Sequence, residues 1–234
     1  MTSITLAAHP SPDSMLRAAP AALAAAALFL APSPTGTADV ALPEAVGAEA
    51  VGASAGLPAA GTYTLDPAHS TVGFRVRHMG LAMVEGEFDA FEGTVVFDPA
   101  NIAATTVQAT VQTTSVDTDV DARDGHLRTP DFFDVETYPT MTFQSTAVQP
   151  TGPNTFRLTG DLTLHGVTRP VTLDVTAAGP ITDPRAGQRA GFHAEGEIDR
   201  RDFGMTWGQD LPGGVPGVGH LVTLVLDAEA TSAS

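Results

Sequence analysis

From Thr71 to His78 the residues alternate without interruption, with Val72, Phe74, Val76 and His78 on one side and Arg75 and Arg77 on the other. A period of two puts successive side chains on opposite faces of an extended chain, so the stretch predicts a half-buried strand. Its guanidinium face is set toward solvent or anions and its Phe/Val face toward a core. The same period returns along the chain in Val84, Gly86 and Phe88, and then in Phe91, Gly93, Val95 and Phe97 after a register change that calls for a bend near Ala90. It continues through Val107, Ala109 and Val111, then Met141, Phe143, Ser145 and Ala147. Residues 156–177 read as a hairpin turning at His165-Gly166, and two further alternating runs centre on Phe192 and Leu224. About eight short strands joined mostly as hairpins argue for an all-β domain, an antiparallel sheet closed into a barrel. The inward set includes Gly86, Gly93, Ala109, Gly160, Ala194 and Gly196. Such small residues leave space inside a barrel or relieve bends in coiled strands.

One segment departs from the β pattern. Residues 119–128 predict a short helix, and Thr129-Pro130 has the form of an N-cap and first-turn proline opening a second short helix through Phe132, Phe133 and Val135. Two adjacent phenylalanines on such an insertion need an apolar surface to cover.

Before the first strand the chain reads differently. Met15-Leu16-Arg17 precedes an apolar run over residues 18–31 and small residues ending at Gly36 and Ala38, the layout of a secretory signal with translation starting at Met15. A twin-arginine signal is absent. The expected organisation is therefore an extension and signal over 1–38, a disordered Ala/Gly/Pro-rich tether over 39–60, and a folded domain over 61–234. A periplasmic or secreted location follows from that reading.

Composition removes several function classes. The formal net charge is −16, with 11 arginines spread along the chain and no lysine, which argues against a nucleic-acid partner. The absence of cysteine excludes disulfides, thiolate metal sites and a thiol nucleophile. No G-x-S-x-G motif occurs, and the glycine run from Gly213 to Gly219 contains Pro216 and precedes a strand, unlike a dinucleotide loop. Asp117-x-Asp119-x-Asp121 opens like a calcium loop, but Ala122 and Arg128 stand where that loop needs Gly and Glu, so a turn with acids at a helix start is the better reading. His69, His78, His126, His165 and His193 lie near strand ends without metal-ligand spacing. No cofactor is expected.

Five stretches, taken together and in order, resemble the YceI-like proteins. They are L-D-P-A-H-S-T-V-G-F-R-V-R-H-M-G (65–80), E-G-E-F-D-A-F-E-G-T-V-V-F-D-P (85–99), R-D-G-H-L-R-T-P-D-F-F-D-V-E-T-Y-P-T-M-T-F (123–143), G-D-L-T-L-H-G-V-T-R-P-V-T-L (160–173) and I-D-R-R-D-F-G-M (198–205). The resemblance implies a single eight-stranded, up-and-down, lipocalin-like barrel with a helical insertion. It also implies an elongated apolar tunnel for a polyprenyl phosphate or an isoprenoid quinone, and no catalytic residue. Where the family carries an acidic pair before the last apolar run, this chain has Gly219-His220-Leu221, which bears on the rim and its head-group preference.

Under that resemblance the candidate lining is Phe74, Val76, Phe88, Phe91, Met141 and Phe143 from the first half and Leu162, Leu164, Phe192, Phe203 and Met205 from the second. Phe132 and Phe133 would cover the tunnel or its mouth, and His78 ends the inward face where it can meet a polar head. Arg75 or Arg77, if near an opening, could attract a phosphate. Apolar surface removed from water contributes roughly 25 cal/mol per Å², so such a tunnel can hold a long isoprenoid without charged anchors. The expected function is an extracytoplasmic protein that carries or sequesters an isoprenoid lipid or quinone, with a membrane-associated donor or acceptor protein as partner and a homodimer as one open assembly. The alternatives are an enzyme or redox accessory acting on such a lipid, with a metal at the histidines, and a structural sandwich whose filled core leaves no cavity.

Overall fold

The structure, a computed structural model, describes residues 56–184 and 187–232. The proposed extension and signal, and all of the tether before residue 56, lie outside the described residues. The elements in chain order are β1 (Gly61–Leu65), β2 (Thr71–His78), β3 (Ala82–Phe88), β4 (Phe91–Phe97), β5 (Thr106–Gln112), β6 (Val116–Asp117), helix α1 (Asp121–Leu127), β7 (Thr140–Pro150), β8 (Thr155–Leu164), β9 (Val167–Asp183), β10 (Gly187–Asp199), β11 (Asp210–Leu211), β12 (Val215–Pro216) and β13 (Val218–Ser232).

Three of the barrel staves are interrupted. β1 and β2 both pair with β13, through Tyr63 opposite Ser232 and Val72 opposite Leu226, and so form two segments of one stave. β4 pairs with β1 while β3 pairs with β2, and β5 and β6 extend the pattern against β4 and β3. Counted this way the sheet has eight staves, each antiparallel to the one before it in sequence, and the last returns to the first. The domain is thus the closed up-and-down barrel expected, all-β with one short helix.

Two of the interruptions, and the β8–β9 turn, have a local cause. Asp66-Pro67 starts a 3-10 turn in which the Asp66 carboxylate accepts from the Ala68 amide at 3.1 Å. The turn is tied back to β13 by the Ser70 hydroxyl, which donates to the Glu229 carbonyl at 3.1 Å and accepts from the Glu229 amide at 3.0 Å. The bend between β3 and β4 falls at Asp89 and Ala90, where the Ala90 amide donates to the Ser115 hydroxyl at 3.0 Å. At the hairpin between β8 and β9, His165 and Gly166 have φ of 51° and 72°, the positive values that a two-residue primed turn needs to match the twist of its strands.

Two expectations fail on β7 and after α1. Ala147 is exposed and Val148 is buried instead, because the register against β8 slips by one residue between Ser145 and Ala147. A bulge at that point reverses the faces of everything beyond it. The second helix does not form. The amides of Phe133 and Val135 donate back to the carbonyls of Leu127 and Arg128, and Asp134 takes a left-handed φ of 46°. The segment is a series of turns folded onto the end of α1, and this still buries both phenylalanines.

The inward glycines do not leave space for a ligand. A Cβ on Gly86 would lie 2.5 Å from the Phe74 ring and 2.7 Å from Thr118, and a Cβ on Gly160 would meet the Phe143 ring and lie 2.7 Å from the Gln144 carbonyl oxygen. These glycines accept neighbouring aromatic rings across the strands, so large side chains lie flat against the barrel wall. The glycine-rich segment before β13 contains the small hairpin of β11 and β12.

Charged side chains close the barrel at its surface. Arg189 of β10 bonds Asp66, Asp183 and Glu229, which joins the first stave to β10 and β13. Asp199 is held by Arg201 in a two-pronged contact, with Nε at 2.9 Å and Nη2 at 2.5 Å. The Arg201 guanidinium is the main reason the Asp199 pKa falls to about 2.

Gly160→Ala is expected to lower stability by about 1–3 kcal/mol, since its methyl group must displace backbone as well as the Phe143 ring; urea unfolding measures this. Asp199 binds its proton less readily in the folded state than in the unfolded chain. Its contribution is therefore complete above about pH 4 and is lost as pH falls toward about 2. Thermal unfolding of Asp199→Asn should accordingly show a shallower loss of stability than the parent between those pH values.

Candidate functional site

The inward faces of the staves enclose a cavity of about 650 Å³. At one end of the barrel the rings of Tyr63, Phe97, Phe156 and Phe192 pack on one another with centroids 6.1 to 6.4 Å apart. Edge-to-face and tilted packing at these distances fills that end with rings. The middle of the wall is aliphatic, with Val107, Leu162, Leu173 and Leu224 among its members.

The other end of the barrel is where β2 finishes, β13 begins and the insertion carrying α1 crosses over. Phe133 packs on Phe88 with ring centroids 5.5 Å apart, and Phe132 reaches Trp207 at 5.2 Å. His126 stands edge-on to both, at 5.1 Å from Phe132 and 4.7 Å from Trp207, and its Nε2 lies 2.9 Å from Asp131. The three rings border the cavity. Exposed apolar side chains gather around the same end: Met79 and Leu81 on the β2–β3 turn, Met83 on β3, Leu211 and Val215 on the small hairpin, and Trp207. The Met79 amide donates to the Gly217 carbonyl at 3.0 Å, which fastens turn and hairpin together.

Polar groups at this mouth are mainly basic. Arg77, His78, Arg123, His126 and Arg200 border the cavity, and Glu92 is the one acid among its lining residues. Arg200 is buried, 4% exposed, and donates to the carbonyls of Gly219 (2.9 Å), Met205 (2.6 Å) and Val218 (3.1 Å). Burial pushes its pKa down, against the opposing influence of Asp199. Arg123 donates to the Thr118 hydroxyl at 2.7 Å and to the Thr118 carbonyl at 2.6 Å, and the same hydroxyl donates to the buried Asp124 at 2.5 Å.

The sequence-based lining set is brought together with one exception. Phe74, Val76, His78, Phe88, Phe91, Phe132, Phe133, Met141, Phe143, Leu162, Leu164, Phe192 and Met205 all border the cavity. Phe203 does not; it is 2% exposed in the 3-10 turn after β10, where its carbonyl lies 3.1 Å from His165 Nδ1. The inward positions of β10 are even-numbered (Phe192, Ala194, Ile198), so alternation continued past Asp199 itself leaves Phe203 off the inner face, and the 3-10 turn buries it outside the cavity. Arg77 borders the mouth, whereas Arg75 lies on the outer face against Glu85 at 3.0 Å. Arg123, His126, Arg200 and Trp207 were not identified from sequence. The i,i+3 spacing of Arg123 and His126 on one helical face was the available signal for those two.

Among the described residues the candidate histidines do not converge. His165 packs at a tilt against Tyr138, His193 pairs with Asp227 at 2.9 Å, and His69 pairs with Asp66 at 3.0 Å. Asp66, His69 and Glu229 do come within ligand distance of one another. Arg189 already bonds both of those carboxylates, so a guanidinium occupies the place a cation would take. Asp119 bonds back to the Asp117 carboxylate at 2.7 Å in a turn, as its sequence context implied.

A closed up-and-down barrel with an apolar interior and a capped, basic mouth is a lipocalin-like architecture. The YceI-like domain family matches residues 63–230, and the chain belongs to that family. It is 47% identical over 154 residues to Protein YceI of Escherichia coli O6:H1, an alignment covering 65% of this chain and 80% of that protein. A UPF0312 protein of Vibrio cholerae O395 is 41% identical over 148 residues, covering 62% and 78%. Among solved structures, BcnA of Burkholderia cenocepacia superposes with a TM-score of 0.64 at 30% identity, covering 71% of this chain and 99% of that one. A polyisoprenoid binding domain from Saccharophagus degradans, implicated in plant cell wall breakdown, shares the fold with a TM-score of 0.53 at 17% identity, covering 73% and 98%.

Phe133 is 9% exposed and wedged against Phe88. Phe133→Ala is expected to cost about 3 kcal/mol, the low end for a buried Phe because its void merges with the existing cavity. Phe132→Ala, at the rim, should cost less. Urea unfolding of both variants gives the comparison.

Proposed function

We propose that the protein binds an isoprenoid lipid in its barrel and carries or sequesters it outside the cytoplasm. The observation that carries the reading is the cavity of about 650 Å³, bounded by Phe, Val and Leu and open to a rim of apolar and basic side chains. That volume falls in the range of pockets that bury most of a small lipid-like ligand, and burial of the chain supplies the affinity. A filled structural core would leave no such space. The polyisoprenoid-binding neighbour of the same fold supports the ligand class, and the signal-like run over residues 15–38 supports the location.

In this reading the protein performs no chemistry on the lipid. Exchange takes place at the mouth, where Met79, Leu81, Leu211, Val215 and Trp207 offer an apolar rim to a membrane-associated donor or acceptor protein.

Mass spectrometry of an organic extract of the full chain, purified from the envelope fraction of cells expressing it, tests the proposal. A stoichiometric prenyl lipid or prenylated quinone is expected from the parent. Val76→Trp, which places an indole in the lumen, should reduce it severalfold while circular dichroism stays that of the barrel. Extracts that contain no prenyl lipid, or equal amounts from both proteins, would refute the reading.

A further inference from the structure

We infer that the protein seats its mouth directly on a phospholipid bilayer, with the β2–β3 turn and the β11–β12 hairpin entering the headgroup layer. The inference rests on the lipid-binding reading above and names the surface against which the cargo is exchanged.

The exposed apolar side chains are unevenly distributed. Of the large ones among the described residues, all but Val96 and Ile181 lie at the mouth end. Leu81 is 81% exposed at the tip of the β2–β3 turn, with Met79 before it and Met83 after it on β3. That tip is joined to the small hairpin. The Met79 amide bonds the Gly217 carbonyl, and a Cβ added at Gly80 would lie 3.2 Å from Val215 Cγ1. The two turns therefore form one patch, which Leu211 and Trp207 extend. A contiguous apolar patch of this kind marks a surface that meets something other than water.

Met79 occupies a costly position. It has φ of 51° and Gly80 has φ of 70°, and the Leu81 amide donates back to the His78 carbonyl at 2.9 Å, which makes a primed two-residue turn. Such turns favour Asn, Asp or Gly where φ is positive. The other non-glycine residues with positive φ among the described residues are Asp119, Asp134 and His165, so Met79 is the one apolar side chain held this way. An apolar residue set at a water-facing tip against the preference of the backbone points to a contact made by that side chain.

Depth and charge identify the partner as a bilayer. Along the β2–β3 hairpin the register places Arg77 opposite Met83 and Arg75 opposite Glu85. At a rise of about 3.3 Å per residue, Arg77 and Met83 stand roughly 7 Å behind the turn and the Arg75–Glu85 ion pair about 13 Å behind it. Apolar elements at a membrane surface bury about 5–10 Å into the boundary between headgroups and acyl chains. Immersion to that depth covers Met79 and Leu81, brings Arg77 to the phosphates and leaves the ion pair in water. The Arg77 guanidinium bonds the Leu81 carbonyl at 3.2 Å, and no ion pair engages it among the described residues. The chain carries a formal net charge of −16, yet residues 76–84 hold no acid and residues 203–222 hold only Asp210. An anionic surface therefore repels the rest of the molecule more than it repels these two turns.

The patch offers few directional groups to a protein. Its backbone amides are spent on its own carbonyls: Leu81 on His78, Met79 on Gly217, Gly214 on Leu211 and Gly217 on Gln209. A protein interface carries about one hydrogen bond per 100–200 Å², whereas a fluid bilayer surface needs no fixed partners. Trp207 suits the same boundary, since an indole is apolar in body with a single N–H for the wet side. Seated in this way, the mouth passes an isoprenoid from acyl chains to the cavity wall without exposing it to water.

The test uses the full chain and vesicles of phosphatidylcholine and phosphatidylglycerol in equal parts, free of prenyl lipid. Trp207 is the single tryptophan. Quenching of its emission by phosphatidylcholine brominated on the acyl chains therefore reports contact at the mouth, whatever other segment of the chain meets the membrane. The parent should be quenched as vesicles are added. Leu81→Asp should raise the vesicle concentration needed for quenching by about tenfold, while circular dichroism stays that of the barrel. Ile181→Asp, exposed at the opposite end of the barrel, should titrate like the parent.

No quenching in the parent, or equal quenching in all three proteins, overturns the inference. Quenching that remains after the vesicles are spun away also overturns it, because the bromines are then inside the barrel. If lipid vesicles fail while envelope vesicles bind until protease strips them, the patch serves a protein. If the parent sediments as a dimer that Leu81→Asp dissociates, a second copy covers the patch. Either result overturns the bilayer assignment. The carrier reading is decided separately, by the organic extract of the purified protein. Prenyl lipid recovered from a protein that does not dock leaves that reading standing, and docking with an empty extract removes that reading alone.

Discussion

Pairing of the last strand with both segments of the first stave is the constraint on which everything else depends. β13 takes β10 along one edge, and along the other it takes β1 and β2 in succession. Closing the sheet satisfies the edge amides and carbonyls that would otherwise invite aggregation, and it turns one face of every strand into an interior. The closure must pass the interruption at Asp66-Pro67, and Ser70 and Arg189 bridge it by binding the Glu229 backbone and side chain. Without those bonds the first stave would have a gap of five residues where it meets its closing partner.

Given a closed barrel, the size of its interior depends on how the side chains share it. Rings of Phe74 and Phe143 lie over Gly86 and Gly160, so these bulky groups line the wall without crossing the lumen. At the far end the rings of Tyr63, Phe97, Phe156 and Phe192 meet one another and fill the space. The cavity is the region between those rings and the insertion that carries Phe132 and Phe133. The same residue type thus does three jobs, and its position in the register decides which.

Electrostatics divides the molecule in a similar way. The outer surface pairs its acids with scattered arginines, as in Arg75 with Glu85 and Arg157 with Asp174, and exposed pairs of this kind contribute little to stability. Desolvation makes the mouth different. There Arg200 is buried among backbone carbonyls, where a low dielectric strengthens electrostatic interactions. Specificity in such a site resides in a few polar groups at the end of a long apolar wall that is itself indifferent to what it holds.

Alternation carried most of the fold into the sequence. Val72, Phe74 and Val76, the runs ending at Phe97 and Val111, and the hairpin at His165-Gly166 were legible because strand geometry repeats every two residues and the primed turn has its own chemistry. Nearly all of the lining followed from the same period, since an inward residue of a closed barrel borders whatever space the barrel contains. What alternation could not supply was anything that depends on a break in it. The bulge after Ser145 moved Val148 inward, and the strand ends at Asp199 in a turn that buries Phe203 outside the lumen. The turns after α1 replaced a helix because their amides found the carbonyls of Leu127 and Arg128, partners set by folding rather than by local propensity. Arg200 shows the limit most plainly. In sequence it is one of two adjacent arginines, and only the packing of a short turn against β13 decides that Arg201 meets Asp199 while Arg200 is buried at the mouth, because burial and counter-charge are properties of the assembled surroundings.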